Sequence, residues 1–594
     1  MSVLKPWADV FHLSLEFHTT ASHPPGSRLD VQLHRMHDAE RYDDEALTLV
    51  VWGTPSLDGA ILRASQIADR LRIEPIEGLA RRLDSSFVLI FYDRRADQLS
   101  IVTDRTGSLP FFYCNAAGRF TASSAFKLLF DRRGAGQSST VDPWTVAEFF
   151  YFRRVFNTRT YDRDIAYLPG ASILTIAANG ANERRCYWRI NADKPGLGQD
   201  VLAERLAEAL RASMQTAMSD GRRYGLMLSG GLDARALLAA ALAPPTCFTT
   251  TPKPNNELAI AVELAHLRGA EHHYIPRPVN LLDHALQPSV ALSGGMTIFP
   301  EVQFLGYGEH IQPYADTVFM GLFLDIMFCG HYMPKSLVQY AGHPGWHFRL
   351  HALEGDLPTL FARTVSYRLK ASDPMSVIKP EHRDRLRSHV VECVRQEMDE
   401  ARAIGLSGYD LWEYAHLHNM ARHYSLLMAQ SVRTFAACRV PAFTNRLYDL
   451  CWQLTARDKA NWEVYQKALK LLSPELMRVL NANTNIRADM PLRMQSAVKL
   501  VRGLTKRVLG SSITAAPSWW DRSWPEPRQS IDVNPHIQAA MHALPSSSAL
   551  AAIGIFDQEA IADRIAEHVA GSHDHTVMLN ELMTIDCALK PFAS

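Results

Sequence analysis

The alternation of apolar and polar positions changes character about one third of the way along the chain. Before residue 190, short runs rich in β-branched and aromatic residues, such as 47–52, 86–92 and 99–103, are separated by turn residues. This pattern predicts antiparallel strands. Segment 200–219 then carries a leucine or methionine at every fourth position on one stripe, which predicts a helix with one buried face.

Strand-like and helix-like segments alternate after residue 220. Residues 224–228, 246–251 and 272–275 have strand patterns, and 234–242 and 257–267 between them have helical patterns. Such alternation indicates parallel strands joined by right-handed crossovers, and therefore an α/β sheet. Most of the remaining chain is typical of helices. We expect a β-rich part at 1–195, an α/β part at 196–490 and a helical extension at 491–594.

Composition narrows the class of protein. The 594 residues carry 62 basic and 62 acidic side chains, and a net charge of zero argues against binding to nucleic acid or to an anionic membrane. No apolar run approaches the roughly 18 residues of a transmembrane helix, so we expect no integral membrane segment. The eight cysteines show no CxxC pair and no Cys/His ligand spacing. Without a recognisable signal peptide, we expect a cytoplasmic protein.

The segment 225–238, GLMLSGGLDARALL, combines a buried strand, a glycine-containing turn and the start of a helix. Two adjacent glycines allow a ligand to approach the backbone, and the N–H groups of the new helix favour an anion there. Asp233 would repel a phosphate directly, so its natural task is to hold a Mg²⁺ ion that bridges to phosphates. The alternative is an ordinary Gly-Gly turn in which Asp233 only stabilises the helix dipole.

No lysine follows these glycines, which excludes the common P-loop. The stretch instead resembles the SGGxDS pyrophosphate loop of the ATP pyrophosphatases, with Ala234 in place of the usual serine. The resemblance implies that ATP is split into AMP and pyrophosphate. It also implies nucleotide contacts from the residues of this loop, which are Leu228, Ser229, Gly230, Gly231 and Asp233.

Further stretches resemble asparagine-synthetase-like proteins, in the order that the family has them. They are 91–124 and 168–188, which look like a glutaminase-type domain, and 256–274, 316–332 and 438–445, which look like the synthetase part. The resemblance implies an α+β, Ntn-type sandwich followed by an α/β parallel-sheet ATP-pyrophosphatase domain with a helical C-terminal part.

The second synthetase stretch, DTVFMGLFLDIMFCGHY, keeps Gly321 and Asp325 but has Ile326 where the family usually has glutamate. The resemblance implies that Gly321 contacts the nucleotide and that Asp325 shares Mg²⁺ with Asp233. It makes Arg439 the candidate for a positive charge near pyrophosphate or a substrate carboxylate. Asp325 could instead cap a helix, and Arg439 could instead form an ion pair that fixes a helix end.

Glutamine-dependent family members use an N-terminal cysteine thiol to release ammonia. This chain has Ser2 in that place and its first cysteine is Cys114, so we expect a catalytically inactive N-terminal domain and a different amine as the nucleophile. β-Lactam synthetases and lasso peptide cyclases fit that condition. β-Lactam synthetases need a tyrosine where this chain has Leu322, and a lysine in the loop where it has 480–485, LNANTN. The resemblance to lasso peptide cyclases is therefore the better one.

The expected function is ATP-dependent macrocyclisation. An Asp or Glu side chain of a precursor peptide would be adenylated, and the peptide's own N-terminal amine would displace AMP to form an isopeptide bond. The amine has a pKa of about 8, so a neutral fraction exists at pH 7 and orientation can replace a strong base. A leader-binding protein and a leader peptidase are possible partners. The alternatives are an asparagine-synthetase-like or β-lactam-synthetase-like amide ligase on a small molecule, and a non-catalytic binding protein.

Overall fold

The structure is a computed structural model of the chain. The structure describes residues 10–19, 28–116, 118–132, 140–340, 343–364, 373–509, 523 and 526–592. Within these ranges, no helix combines the length and the apolar character that crossing a bilayer requires.

The N-terminal part consists of two antiparallel sheets with helices outside them. The strands are β1 (His12–His18), β2 (Leu29–His34), β3 (Ala39–Asp43), β4 (Leu47–Gly53), β5 (Ser56–Leu57), β6 (Ala60–Ile61), β7 (Phe87–Asp93), β8 (Gln98–Thr103), β9 (Phe112–Ala116), β10 (Arg119–Ser123), β11 (Ala166–Tyr167), β12 (Ser172–Ala177) and β13 (Asn182–Cys186). The helices are α1 (Ala64–Ile73), α2 (Ile76–Arg82), α3 (Phe126–Arg132) and α4 (Pro143–Phe152).

These two sheets pack face to face. One has the order β11-β9-β10-β1-β2 and the other the order β13-β12-β8-β7-β4-β3. Phe17 and Phe120 of the first sheet share a core with Trp52, Ile90 and Ile176 of the second. Alternate residues of the central strands point into this layer, as the period-two pattern predicts. The predicted sandwich is confirmed.

The remaining chain contains a parallel sheet and many helices. Its strands are β14 (Tyr224–Met227), β15 (Thr246–Thr251), β16 (His272–Pro276), β17 (Thr317–Phe319), β18 (Lys335–Tyr340), β19 (His343–Leu350), β20 (Ala437–Arg439), β21 (Leu480–Asn481) and β22 (Ile486–Arg487). The first helices are α5 (Gln199–Ala217), α6 (Asp233–Ala240), α7 (Asn256–Leu267), α8 (Leu286–Ser293), α9 (Gly308–Ile311), α10 (Leu324–Phe328), α11 (Leu357–Thr364), α12 (Arg383–Ala403), α13 (Tyr409–Leu417) and α14 (Leu426–Arg433). They are followed by α15 (Asn445–Gln453), α16 (Ala456–Ala460), α17 (Glu463–Leu472), α18 (Pro474–Arg478), α19 (Leu492–Leu509), α20 (Gln529–Asp532), α21 (Pro535–Ala543), α22 (Ser548–Ile553), α23 (Gln558–Val569) and α24 (Thr576–Leu589). Short 3₁₀ helices lie at Phe299–Glu301, Pro374–Val377, Pro380–His382, Met420–Arg422, Pro441–Phe443 and Leu544–Ser546.

The parallel sheet has the order β16-β15-β14-β17-β20. From β14 the chain first adds β15 and β16 on one side and then returns to add β17 and β20 on the other. In register, Leu226 of β14 pairs with Cys247 of β15 and with Phe319 of β17. The strand order therefore reverses between β14 and β17, and the crevice at their carboxyl ends is the usual place for a ligand in such sheets.

The last helices pack against the first part of the chain. Leu579 and Leu582 of α24 share a core with Val146 and Phe150 of α4. The residues between 529 and 592 are thus joined to the N-terminal part by a common apolar layer. The division of the chain at residues 195 and 490 stays a prediction.

Candidate active site

The loop after β14 is held close to two neighbouring segments. The Leu228 N–H donates to the carbonyl of Phe248 (2.8 Å), and its own carbonyl accepts from Thr249 Oγ1 (2.7 Å). The Ala482 N–H donates to the Gly230 carbonyl (3.0 Å), and a Cβ at Gly230 would lie 2.6 Å from Ala482 Cβ. Close approach, rather than an unusual backbone angle, therefore requires the glycine at 230.

Ser229 and Gly231 complete the turn. The Ser229 hydroxyl oxygen accepts the Gly231 N–H at 3.3 Å, and helix α6 begins two residues later at Asp233. The predicted strand–turn–helix arrangement is confirmed in its secondary structure. The nucleotide contacts of Leu228, Ser229, Gly230 and Gly231 stay predictions.

The loop after β17 touches the start of α6 through its backbone. A Cβ at Gly321 would lie 2.7 Å from both the Ala234 N and the Asp233 carbonyl carbon. Helix α10 begins three residues later and carries Asp325 in its first turn, where Oδ1 accepts the Ile326 N–H at 2.8 Å. Gly321 thus allows the two carboxylate-bearing loops to approach each other. Asp233 and Asp325 are 92 positions apart in the chain, so their spacing alone could not predict this approach.

The two carboxyl groups interact electrostatically. Burial raises the pKa of Asp233 well above its usual value, and the charge of Asp325 raises it further. Tyr465 opposes this by donating its hydroxyl to Asp233 Oδ1 at 2.7 Å. Burial also raises the pKa of Asp325, against the effect of His331, whose Nδ1 lies 4.0 Å from Oδ2. Two partly buried carboxyl groups, one of which disfavours the ionisation of the other, fit a divalent cation, because the cation would favour both charged forms.

Arg439 is occupied elsewhere. Its guanidinium is buried and forms hydrogen bonds with both carboxylate oxygens of Asp220 (3.0 and 2.5 Å) and with the carbonyl of Ala217, the last residue of α5. These contacts are those of an ion pair that fixes a helix end. Arg439 is therefore not included in the proposed site. Its catalytic role stays a prediction, and none of these contacts supports it.

Two residues that organise this site, Tyr465 and Arg235, were not predicted from the sequence. Tyr465 lies on α17, 232 positions after the aspartate to which it donates, and no spacing links them. Arg235 is 99% buried, and its guanidinium donates to the carbonyls of Gly230, Leu476, Val479 and Leu480. The sequence signal for Arg235 was its position as a charged residue inside the apolar run ARALLAA of α6.

Replacing Arg235 by methionine is expected to lower the free energy of unfolding by about 3 kcal/mol. Each terminal nitrogen of Arg235 donates to two carbonyls, so the change leaves four carbonyls without their buried donor. Urea denaturation of the purified chain measures this. Arg211, exposed and donating to the Leu471 carbonyl at 2.8 Å, supplies the control: Arg211→Met should change stability by less than about 0.5 kcal/mol. Equal losses in both variants would contradict the buried role of Arg235.

A cavity of about 300 Å³ lies apart from these loops. Residues of the N-terminal part, including Arg105 and Trp188, line it together with Glu400 and His418. Its lining includes no residue of the loops that carry Asp233 and Asp325.

Comparisons with known proteins agree with this architecture. The family model for a glutamine amidotransferase domain matches residues 76–188, and that for asparagine synthase matches residues 205–590, well over half of the chain. No curated protein sequence matches significantly.

Two solved structures are similar over part of the chain. One is glutamine phosphoribosylpyrophosphate amidotransferase from B. subtilis, complexed with ADP and GMP, and the other is described as the allosteric regulatory enzyme of purine biosynthesis. Each is 8% identical with a TM-score of 0.19, and they cover 45% and 46% of this chain. The chain spans 60% of the length of each, and neither likeness bears on function. From the match over residues 205–590, the chain belongs to the asparagine synthase family, with an amidotransferase-type domain preceding the synthase part.

Proposed function

We propose that this protein is an ATP-dependent, AMP-forming carbon–nitrogen ligase that closes an isopeptide bond in a precursor peptide. Membership of the asparagine synthase family supports the coarser part, an ATP-dependent amide-forming ligase. The observation that carries the proposal is the approach of Asp233 and Asp325, both partly buried, at the carboxyl ends of two adjacent parallel strands.

The chain's own residues would act mainly by positioning. Gly230 and Gly321 let the loops approach, Tyr465 orients Asp233, and the start of α6 directs backbone N–H groups at the nucleotide. Asp233 and Asp325 would hold the Mg²⁺ of Mg-ATP, which supplies positive charge to the phosphate oxygens when bound. The substrate carboxylate attacks the α-phosphorus of ATP, and the bond to pyrophosphate breaks. The attacking amine then forms the amide bond and AMP leaves.

The N-terminal domain favours a nucleophile other than ammonia released from glutamine. Cys114 lies buried in β9, paired across the sheet with Thr121, so its thiol is not available as a nucleophile. Ser2 lies outside the described residues. An N-terminal amine of the peptide itself needs no ammonia source, and holding it beside the acyl-adenylate can contribute several kcal/mol through orientation. The proposal includes a leader-binding protein and a leader peptidase as partners, and a cytoplasmic location.

Exchange of labelled pyrophosphate into ATP tests this proposal. We expect exchange to require a linear peptide with an internal Asp or Glu, and AMP to form in step with the cyclic product. A matched peptide with Asn or Gln at the acceptor position is the control and should support no exchange. Exchange with free aspartate alone would instead indicate a small-molecule ligase. ADP and orthophosphate as products would overturn the AMP-forming assignment.

A further inference from the structure

Three side chains with different donor atoms meet at the junction of the N-terminal part and the synthase part. Glu148 belongs to α4, and His389 and Cys393 lie one turn apart on α12. Cys393 Sγ lies 3.3 Å from Glu148 Oε2 and 3.4 Å from His389 Nε2, and His389 Nε2 lies 3.8 Å from Glu148 Oε2. A thiol, an imidazole and a carboxylate thus converge within one small triangle.

The triangle has the size of one face of a tetrahedral zinc site. Zinc binds sulfur at about 2.3 Å and nitrogen or oxygen at about 2.0–2.2 Å, so around a tetrahedral ion sulfur lies about 3.5–3.7 Å from nitrogen or oxygen, and nitrogen lies about 3.3–3.5 Å from oxygen. The two observed sulfur separations are slightly shorter than these distances and the nitrogen–oxygen separation is longer, each by no more than about 0.3 Å. The His-x₃-Cys spacing on a helix puts both donors on one face. The sequence pattern did not predict this cluster, because Glu148 precedes Cys393 by 245 residues and a His-x₃-Cys pair alone is not a metal motif.

The cluster is partly open to solvent and its carboxylate is held in place. Glu148 and Cys393 are buried, whereas the His389 side chain keeps 24% of its surface exposed. The Phe156 N–H donates to Glu148 Oε1 at 2.6 Å, and Arg159 Nη2 donates to Oε2 at 2.9 Å. Such outer contacts fix the orientation of a ligating carboxylate.

We propose that Glu148, His389 and Cys393 bind one Zn²⁺ ion, with water as the fourth ligand. Binding breaks the S–H bond of Cys393, forms a zinc–sulfur bond and releases the proton to solvent. The ion fastens α4 of the N-terminal part to α12 of the synthase part. This site is separate from the Asp233–Asp325 pair and does not depend on the proposed reaction.

Metal analysis of the full-length chain tests the proposal. After removal of metal with a chelator and titration with Zn²⁺, we expect about one zinc per chain to survive gel filtration. Titration with Co²⁺ should give the thiolate-to-cobalt charge-transfer band and the intense visible bands of tetrahedral cobalt. Zinc should also raise the Tm of the metal-free chain, because the ion binds only the folded state.

Variants decide whether these three residues are the ligands. His389→Gln and Cys393→Ser should each lower zinc affinity at least about tenfold, and Cys393→Ser should abolish the charge-transfer band. Asp399→Asn, an exposed change further along the same helix, is the control and should keep full binding. His389→Gln alters a partly exposed side chain, so it reports on binding even where Cys393→Ser unfolds. The proposal fails when wild type and His389→Gln retain equal zinc, or when wild type retains none.

Discussion

Replacing Asp233 by asparagine is expected to lower AMP formation at least about a thousandfold and, at the same time, to stabilise the nucleotide-free protein. Activity falls because an amide has no charge with which to hold the divalent cation. Stability rises because the folded protein no longer contains a partly buried carboxyl group whose ionisation desolvation and Asp325 oppose. Asparagine preserves the size of the side chain and can still accept the Tyr465 hydroxyl.

The stabilisation should depend on pH. The pKa of Asp233 is raised in the folded state, so below the unfolded value of about 4 the carboxyl is protonated in both states and Asp233→Asn changes little. Above about pH 4, Asp233 ionises more readily in the unfolded chain than in the folded protein. The wild-type protein therefore loses stability relative to the variant as the pH rises. Thermal unfolding at a series of pH values measures the difference, and each unit of pKa shift corresponds to about 1.4 kcal/mol.

Asp220 provides a control with the opposite sign. Burial raises its pKa, but the hydrogen bonds and charge of Arg439 outweigh burial and hold the pKa below its usual value. Asp220→Asn should therefore destabilise the protein at neutral pH, and the loss should shrink as the pH falls through the lowered pKa. Asp325→Asn should follow Asp233→Asn in both activity and stability. Normal turnover in Asp233→Asn would refute the proposed cation site.

Replacing Gly321 by alanine is expected to lower turnover at least about a hundredfold and stability by about 2 kcal/mol. The new methyl group would stand 2.7 Å from backbone atoms of Asp233 and Ala234, which cannot rotate away as a side chain can. The loop that carries Asp325 must then move off the start of α6, which separates the two carboxyl groups. Steady-state kinetics for ATP and urea denaturation measure the two effects.

Gly198→Ala is the matched control for this change. Gly198 lies at the start of α5 in an extended conformation, and a Cβ built on it has no atom within 4 Å. Its replacement should leave turnover unchanged and alter stability by no more than about 1 kcal/mol. Equal activity of the two alanine variants would show that the contact between the loops is not needed.

The sequence predicted what depends on local pattern. Periods of two and of about 3.6 residues reflect directly which face of an element is buried. They predicted the strands of the sandwich, helix α5 and the alternation from β14 to β16. The turn between β14 and α6 was predictable for the same reason, because its glycines and its aspartate are adjacent in the chain.

Contacts across long stretches of chain could not be predicted. The hydroxyl of Tyr465 and the carbonyls bonded by Arg235 lie more than 200 residues from their partners, apart from that of Gly230. The alternative interpretation of Arg439 could be resolved only by seeing Asp220 beside it. Likewise, the packing of α24 on α4 is a tertiary contact, and the helical pattern of either segment does not predict it.

The core shared by α4 and α24 has a consequence for synthesis of the protein on the ribosome. Until α24 has been translated, more than 400 residues after α4, the apolar surface around Phe150 lacks the cover that α24 later provides. Arg153 of the same region also lacks its partner until Glu581 has emerged, 2.8 Å away in the finished fold. A surface formed by α4 is thus completed by a helix that is translated more than 400 residues later, and the nascent chain exposes apolar side chains during that interval.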